Sequence, residues 1–429
     1  GWLVFAVQGM IIFSVGLGIT HWFARFECVS AGLQPEFYQL IFWQCVQVLL
    51  TFLVRIFYLI LNANQRMDLA NYTSSLTLGL GFFIQWFFFA RGLGMLSFPV
   101  SGIISGLVAL GCQVWACYRF QLLPDAGCWG RPSWRQFRHL FDYCKDVFFI
   151  ALGNQLIIAS QPFIIKRLLG AEAVGLWGTG LKSYTLLNQL VWRISDMSQV
   201  AFADMLARGE AVKLRRRYHD VAASSFAIAG WAAVTFALCN HLFVPLWTHG
   251  RFQWQIQHDI LLAIWLLQGT VVHCHSNVII MTKEFKFFRF IFFIEGLCFV
   301  SLAYLFAPLW GLSAVILCSI FCTLIFSLGY SVFRVQRYFG YPLRELLFDW
   351  FKPTAKLLAL YLPIAGLMWF LLRGETPWQQ LLVHATLTAA AGFWLLLRYG
   401  LPVSVQQEIK AKIPARFTGL ARYLFAPGS

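Results

Sequence analysis

Three polar residues lie at helical spacing within an otherwise apolar stretch near the middle of the chain. Lys182, Gln189 and Arg193 are separated by seven and four positions inside residues 173–206. Because a helix turns by about 100° per residue, these positions share one face. A cation in a membrane helix is costly unless it faces the interior of a bundle or a water-filled cavity. The spacing therefore predicts a helix that lines a transport pathway.

A second polar stripe follows one face of the predicted helix at residues 38–61. It consists of Gln44, Gln47, Thr51 and Arg55. Amides in membrane helices often only hydrogen-bond a neighbouring helix, which is the structural alternative for Gln47. Arg55 is near the end of its helix, where its long side chain can also reach the membrane interface.

Asn154 and Gln161 form a third polar pair, seven positions apart in the predicted helix before Lys182. Pro162 follows directly. Since proline has no backbone N–H, it leaves a carbonyl unpaired and predicts a kink at this point.

Together these side chains predict a cationic cavity between two lobes of helices. Arginine holds a phosphate through a bidentate fork, and lysine holds it as a point charge. Amides and hydroxyls match the many hydroxyl groups of a glycan. The chemistry points to a substrate with an anionic group, either a phosphate or an acidic sugar.

Glu295 and His275 are the candidates for coupling transport to an ion. Glu295 is the clearest acid within an apolar stretch, and it serves either proton coupling or a structural pair with Lys283 or Arg289. His275, with its neighbour His273, is either a proton relay or a histidine that bonds between helices.

Composition identifies the class of protein. Hydrophobic residues make up 59% of 429 and charged residues 12%, and the mean hydropathy is +0.67. A membrane helix needs about 20 apolar residues. We predict an all-α membrane protein with twelve spans. They are Trp2–Ala24, Tyr38–Leu61, Thr73–Ala90, Leu96–Tyr118, Asp146–Ile165, Ala173–Leu206, Val221–Trp247, Ile256–Met281, Phe287–Phe306, Gly311–Phe333, Pro353–Leu372 and Trp378–Leu397.

The positions of the basic residues predict the topology. The connections after the fourth and sixth spans carry five Lys and Arg each, whereas those after the fifth and seventh carry two and one. Basic residues accumulate on the cytoplasmic side. The C-terminus is therefore predicted to be cytoplasmic, and the net charge of +15 is explained by topology and anionic membrane lipids, without nucleic acid.

Motifs for catalysis or cofactors are absent from the sequence. It contains no P-loop, nucleophile elbow or paired carboxylates, and its eleven cysteines include no CxxC pair. Cys274 lies between two histidines, but adjacent positions on a helix point in different directions and cannot close a metal site. We predict a protein that is not an enzyme and binds neither metal nor cofactor.

An internal repeat predicts the domain organisation. A shift of 217 positions aligns Gly79 with Gly296 and Gly94 with Gly311, within eight identities over the 29 positions from Gly79 to Leu107. Six spans separate the copies, so the lobes are predicted to be related by a pseudo-two-fold axis along the membrane normal. The predicted domains are an incomplete lobe at 1–118, a cytoplasmic linker at 119–145, a complete lobe at 146–333, and two further spans with a tail at 334–429. About two N-terminal spans are inferred to precede Gly1.

Three local motifs carry a resemblance to a known family. They are LNANQR at residues 61–66, IIKRLLGAEAVG at 164–175 and MLARGEAVKLRR at 205–216. With the repeat, they resemble the polysaccharide-transporter branch of the multidrug/oligosaccharidyl-lipid/polysaccharide exporter superfamily, which includes flippases for O-antigen and lipid-linked oligosaccharides.

The resemblance implies a function. It implies alternating-access transport of an undecaprenyl-diphosphate-linked oligosaccharide across the bacterial inner membrane, by a monomer that works beside a polysaccharide polymerase. Lys182, Arg193 and Arg55 then correspond to cavity cations. Members of this kind have fourteen spans.

Three alternatives remain open. A multidrug extruder is expected to carry carboxylates in its cavity, whereas this chain offers cations. A lipid II flippase also fits the two final spans. A membrane glycan polymerase or ligase, the enzymatic alternative, is expected to have a large outer loop, and the predicted outer loops here are short.

Overall fold

The chain folds into α-helices throughout its described part. The computed structural model describes residues 2–26, 32, 34–124, 127, 133–282, 287–371, 376–413 and 425, and no strand occurs among them. The predicted all-α membrane class is confirmed.

Nine helices in the described residues are long and apolar enough to cross a membrane. Eight of them coincide with single predicted spans, and the ninth, Phe288–Phe339, contains two. The first predicted span forms a helix with a shorter apolar part, Val4–Thr20. The sixth is a helix that is less apolar than the nine, because it carries the polar face described below. Twelve crossings therefore stay a prediction.

The chain divides into two compact units, Gly1–Ser133 and Trp134–Ser429. This boundary falls inside the linker predicted at 119–145, and the second unit includes both the lobe predicted at 146–333 and the final spans. The predicted domain limits and the pseudo-two-fold axis stay predictions.

The described residues of the first unit form four α-helices, in which the first packs on the second, the third on the fourth, and the second on the fourth. They are α1 (Trp2–Phe26), α2 (Gln34–Ala63), α3 (Met67–Ala90) and α4 (Ser97–Arg119). Gly94 lies between α3 and α4 with a φ of +56°, a left-handed conformation that glycine adopts without steric cost.

Where the structure describes the second unit, it has eleven α-helices, several joined by short π-helical turns. They are α5 (Trp134–Ile158), α6 (Ser160–Leu169), α7 (Ala171–Ala207), α8 (Ala211–Trp247), α9 (Ile256–Thr282), α10 (Phe288–Thr323), α11 (Gly329–Phe339), α12 (Lys352–Leu371), α13 (Pro377–Val383), α14 (Ala389–Leu395) and α15 (Val403–Lys412).

Near Pro162 the helix is interrupted at Ala159, between α5 and α6, and the predicted kink stays a prediction. Below the break, α5 packs against α10, where the carbonyl oxygen of Phe292 would lie 2.2 Å from a Cβ added to Gly153. Beyond it, α6 packs on both α10 and α7, and Gly170 makes the turn into α7 with a φ of +94°. The predicted spans Asp146–Ile165 and Ala173–Leu206 are therefore joined as a helical hairpin through α6 and α7, and α10 is a neighbour of both α5 and α6.

The helix α10 folds back on itself at Gly311, where φ is +60° and ψ is −140°. Two residues show the reversal. Thr323 donates a hydrogen bond to Glu295 at 2.9 Å, although a straight helix would place residues 28 positions apart at a distance of about 42 Å. The two spans predicted within this segment are therefore adjacent.

Candidate functional site

The long helix α7 has one buried and one exposed face. Buried residues on it include Trp177, Tyr184 and Val191, which pack into the apolar core formed with α8, α9 and α10. The opposite face is exposed along its length. Its polar members in the middle of the helix are Lys182, Thr185, Gln189, Arg193 and Asp196.

The structure thus brings Lys182, Gln189 and Arg193 onto one exposed face, as their spacing predicts. Lys182 and Arg193 are eleven positions apart, or about 16 Å along the helix axis, with Gln189 between them. Within the described part of the chain, neither Lys182 nor Gln189 forms a hydrogen bond or ion pair. Both side chains are available to a ligand.

A polar cluster at the end of this face ties α7 to α9. His273 Nε2 lies 2.7 Å from Asp196 Oδ1, and because an ionised carboxylate only accepts, the imidazole is the donor. Asn277 Nδ2 donates to the same oxygen at 3.2 Å and to the Ser195 hydroxyl at 3.0 Å. The Trp192 ring stacks on His273 with centroids 4.1 Å apart. We call Ser195, Asp196, His273 and Asn277 the α7–α9 cluster.

Asp196 was missed from the sequence, although a signal was present. It follows Arg193 by three positions, so it lies one turn further along the same helical face. Arg193 is close enough to act electrostatically on its carboxylate. Between Lys182 and Asp196, the exposed face of α7 therefore carries two cations and one acid, and hydrogen bonds to α9 hold that acid in place.

A second polar network, centred on Asp259, lies beneath this face. Asp259 is fully buried at the start of α9, and its Oδ1 accepts hydrogen bonds from Asn240 at 2.7 Å and from the Trp254 indole at 2.6 Å. Asn240 also donates to the Gly180 carbonyl at 3.1 Å and bonds to the Ser183 hydroxyl. The network joins α7, α8 and α9, and it satisfies one oxygen of a buried acid. Sequence reasoning overlooked Asp259 because it stands at the edge of a predicted span.

The remaining predicted cavity residues have different environments. Arg55 is exposed on α2, and Asn154 is exposed on α5. Gln47 is half-buried, and its amide presses against Gly102 of α4. Gln161 is only 3% exposed on α6. Gln47 and Gln161 thus lie between packed helices. Gln47 Oε1 and Gln161 Nε2 have no hydrogen-bond partner among the described residues, so the cavity role of both amides and the interhelical alternative for Gln47 stay predictions.

Glu295 is buried between the two arms of α10. Its exposure is 1%, and its Oε1 accepts hydrogen bonds from the hydroxyls of Thr323 at 2.9 Å and Ser327 at 3.2 Å. The structural alternative for Glu295 was a pair with Lys283 or Arg289. The hydrogen bonds observed at its Oε1 come from two hydroxyl groups. Of those cations, Lys283 lies outside the described residues.

His275 lies within a buried aromatic cluster rather than on the exposed face of α7. Its Nδ1 is 2.5 Å from the Tyr218 hydroxyl, and the rings of Phe226 and Trp350 are about 6 Å away, at 6.1 and 6.0 Å. This geometry matches the alternative of a histidine that bonds between helices.

The described residues contain no group of three or more His, Cys, Asp or Glu side chains that could hold a metal ion. On the exposed face of α7, Lys182 and Arg193 supply positive charge and Gln189 and Thr185 supply hydrogen-bonding groups, and these bind anionic and hydroxylated groups.

Comparison with known proteins gives a family and a fold. A family model described as "Polysaccharide biosynthesis protein" matches residues 4–254, more than half of the chain. No curated protein matches the chain.

Solved structures with a similar fold are membrane transporters. One is an outward-facing multidrug-resistance MATE-family transporter of the MOP superfamily, with a TM-score of 0.65 and 13% identity over 80% of this chain and 78% of that one. A MOP-superfamily transporter from Pyrococcus furiosus, described as having a binding pocket of reverse polarity that suggests a different function, has the same values. A MATE protein in a bent conformation has a TM-score of 0.62 and 14% identity over 79% and 78% of the two chains.

Proposed function

Since the chain belongs to the polysaccharide biosynthesis protein family and has the fold of MATE transporters, we propose that it exports a lipid-linked oligosaccharide across the bacterial inner membrane. The observation that carries this proposal is the exposed face of α7, where Lys182, Gln189 and Arg193 point away from the protein core. A helix with cations on its exposed face is unstable against lipid. This face therefore borders water, and it forms part of the translocation pathway.

The side chains on this face match a glycolipid diphosphate. Arg193 offers a bidentate fork to a phosphate, and Lys182 offers a mobile ammonium about 16 Å away. Gln189 and Thr185 supply donors and acceptors for sugar hydroxyls between them. A substrate with a diphosphate and several sugars spans such a distance, so both cations can contact one molecule.

The alternative substrate is an organic cation, as in a multidrug extruder. The acid on the exposed face, Asp196, is engaged by His273 and Asn277, whereas Lys182 has no partner in the described residues. An organic cation would meet uncompensated positive charge here. A lipid II flippase stays a near alternative, because lipid II also carries a diphosphate.

The topology and mechanism follow from the same proposal. Transport proceeds by alternating access in a monomer whose C-terminus is cytoplasmic. The protein itself makes no covalent bond, and its partners are the glycolipid, the surrounding lipids and a polysaccharide polymerase.

The decisive experiment measures flipping of a fluorescent undecaprenyl-diphosphate oligosaccharide in proteoliposomes. We expect Lys182→Ala and Arg193→Ala each to lower the rate by about tenfold, the effect of losing one charge-assisted contact. Arg251→Ala is the control, because Arg251 is exposed near the far end of α8 and stacks on Phe252.

Two outcomes would contradict the proposal. One is glycolipid flipping that is unchanged in both α7 variants. The other is transport of ethidium against a proton gradient with no glycolipid transport, which would establish the multidrug alternative. Sugar transfer by the purified protein would establish the enzymatic one.

A further inference from the structure

A pocket of about 430 Å³ lies where α7 turns into α8, next to the end of α11. This pocket, which we call the basic-rim pocket, is separate from the exposed face of α7. Its lining residues are Leu206, Gly209, Ala211, Val212, Leu214, Arg215, Tyr338 and Phe339. All are apolar or aromatic except Arg215 and the Tyr338 hydroxyl, so the pocket suits a hydrocarbon chain with one anionic group at its edge.

The apolar side of the pocket is open. Val212 is 85% exposed and Tyr338 is 39% exposed, whereas Leu214 is buried at 2%. Contact between this valine side chain and water is unfavourable, because apolar surface gains free energy when it is buried. An acyl chain from the adjacent bilayer would cover it.

The structure holds Arg215 at the rim in a fixed position. Its guanidinium lies 4.2 Å from the centroid of the Tyr341 ring, and the Tyr341 hydroxyl donates a hydrogen bond to the Arg215 carbonyl at 2.8 Å. Burial raises the pKa of Tyr341 to about 12, so its hydroxyl keeps the proton that it donates. The tyrosine orients the arginine without neutralising it.

Not every basic residue at this rim is paired with a carboxylate. Arg208 pairs with Asp204 at 3.0 Å, Lys213 with Glu210 at 2.7 Å, and Arg217 with Glu408. In the described part of the chain, Arg215 and Arg216 form no ion pair. Arg216 follows Val212 by four positions, so it lies on the same side of α8 as the open part of the pocket. The rim therefore complements a phosphate.

The predicted topology puts the basic-rim pocket at the level of the cytoplasmic lipid headgroups. Both connections that border it are predicted to be cytoplasmic, and the apolar part of α8 begins after its basic first turns. Basic pockets between membrane helices on the cytoplasmic side bind anionic lipid headgroups. We propose that the basic-rim pocket binds one anionic phospholipid of the surrounding membrane, with its phosphate on Arg215 and an acyl chain against Val212 and Phe339.

The proposal is tested with a photoreactive phosphatidylglycerol whose diazirine is on an acyl chain. The whole protein is reconstituted in phosphatidylcholine vesicles with this probe, irradiated and digested, and the labelled peptides are identified by mass spectrometry. We expect labelling at residues 206–215 and 338–339. Arg215→Gln should lower it about tenfold, as expected for a lost charge-assisted contact. Arg251→Gln, which removes an exposed arginine that also lies over an aromatic ring, should leave it unchanged.

A second variant tests the apolar side without altering a charge. Val212→Trp fills the pocket and should lower labelling at 338–339 while the protein keeps its elution volume and helicity. The proposal is wrong if a phosphatidylcholine probe labels the pocket equally, or if Arg215→Gln and Val212→Trp both label as the unmodified protein does. It is also wrong if undecaprenyl diphosphate, but not phosphatidylglycerol, displaces the probe.

Discussion

The carboxylate of Asp196 accepts a hydrogen bond from His273 at 2.7 Å, which joins two helices through residues 77 positions apart. The same carboxylate lies one turn from Arg193 on the exposed face of α7. The contact fixes the helix that carries the proposed substrate cations to its neighbour α9, and Asn277 of the α7–α9 cluster donates to the same carboxylate.

This contact predicts a measurable contribution to stability. Asp196→Asn removes the charge that His273 and Asn277 bond, and we expect a loss of about 1–3 kcal/mol in the free energy of unfolding. Asp204→Asn is the matched control on the same helix, since the exposed pair of Asp204 and Arg208 contributes about 0–1 kcal/mol. Denaturation in detergent measures both. Equal losses for the two variants would show that the cluster adds nothing.

A pair of glycines on α7 predicts opposite responses to alanine. A Cβ at Gly180 would lie 2.4 Å from the ring of Trp254, whose indole bonds Asp259, so Gly180→Ala should cost about 1–3 kcal/mol by overpacking. Nothing lies within 4 Å of a Cβ at Gly178, and Gly178→Ala should stabilise the helix by up to about 1 kcal/mol. Thermal unfolding followed by tryptophan fluorescence measures both. A stable Gly180→Ala variant with normal fluorescence would contradict the packing described here.

The contact between α5 and α10 predicts a larger loss of stability when a side chain is added there. A Cβ at Gly153 would lie 2.2 Å from the backbone oxygen of Phe292, which cannot move aside as a side chain can. We expect Gly153→Ala to destabilise the protein by about 3 kcal/mol, at the upper end for overpacking. Gly366→Ala in α12 is the control, because its Cβ would meet no atom within 4 Å. Similar midpoints of unfolding for both variants would argue against close packing of α5 on α10.

The proposed roles of Arg193 and Lys182 predict that exchanging arginine and lysine affects transport differently at the two positions. A bidentate contact depends on the guanidinium fork, so Arg193→Lys should slow glycolipid flipping severalfold although the charge remains. Lys182→Arg should transport nearly as well as the unmodified protein, because Lys182 is proposed to act as a point charge. Initial rates in proteoliposomes at fixed salt distinguish these cases. Equal tolerance at both positions would show that neither cation forms a fork with phosphate.

Much of the fold was accessible from periodic patterns. Long apolar runs predicted the helices. The internal repeat aligns Gly94 with Gly311, so it predicted corresponding positions for the two glycines in the two lobes. The two glycines have φ values of +56° and +60°, and each stands at a turn between predicted spans. Side-chain contacts between helices were not accessible, because helices separated along the chain leave no common pattern in the sequence.

The sequence by itself determined that Lys182, Gln189 and Arg193 share one face, because the period of a helix alone sets that relation. It could not determine which faces neighbouring helices cover. Only the tertiary structure placed Gln161 and His275 in buried contacts, paired Glu295 with two hydroxyls, and brought Asp196 to His273. Burial and long-range hydrogen bonds depend on the packing of helices against one another, and that packing decided which polar residues remain free to meet a substrate.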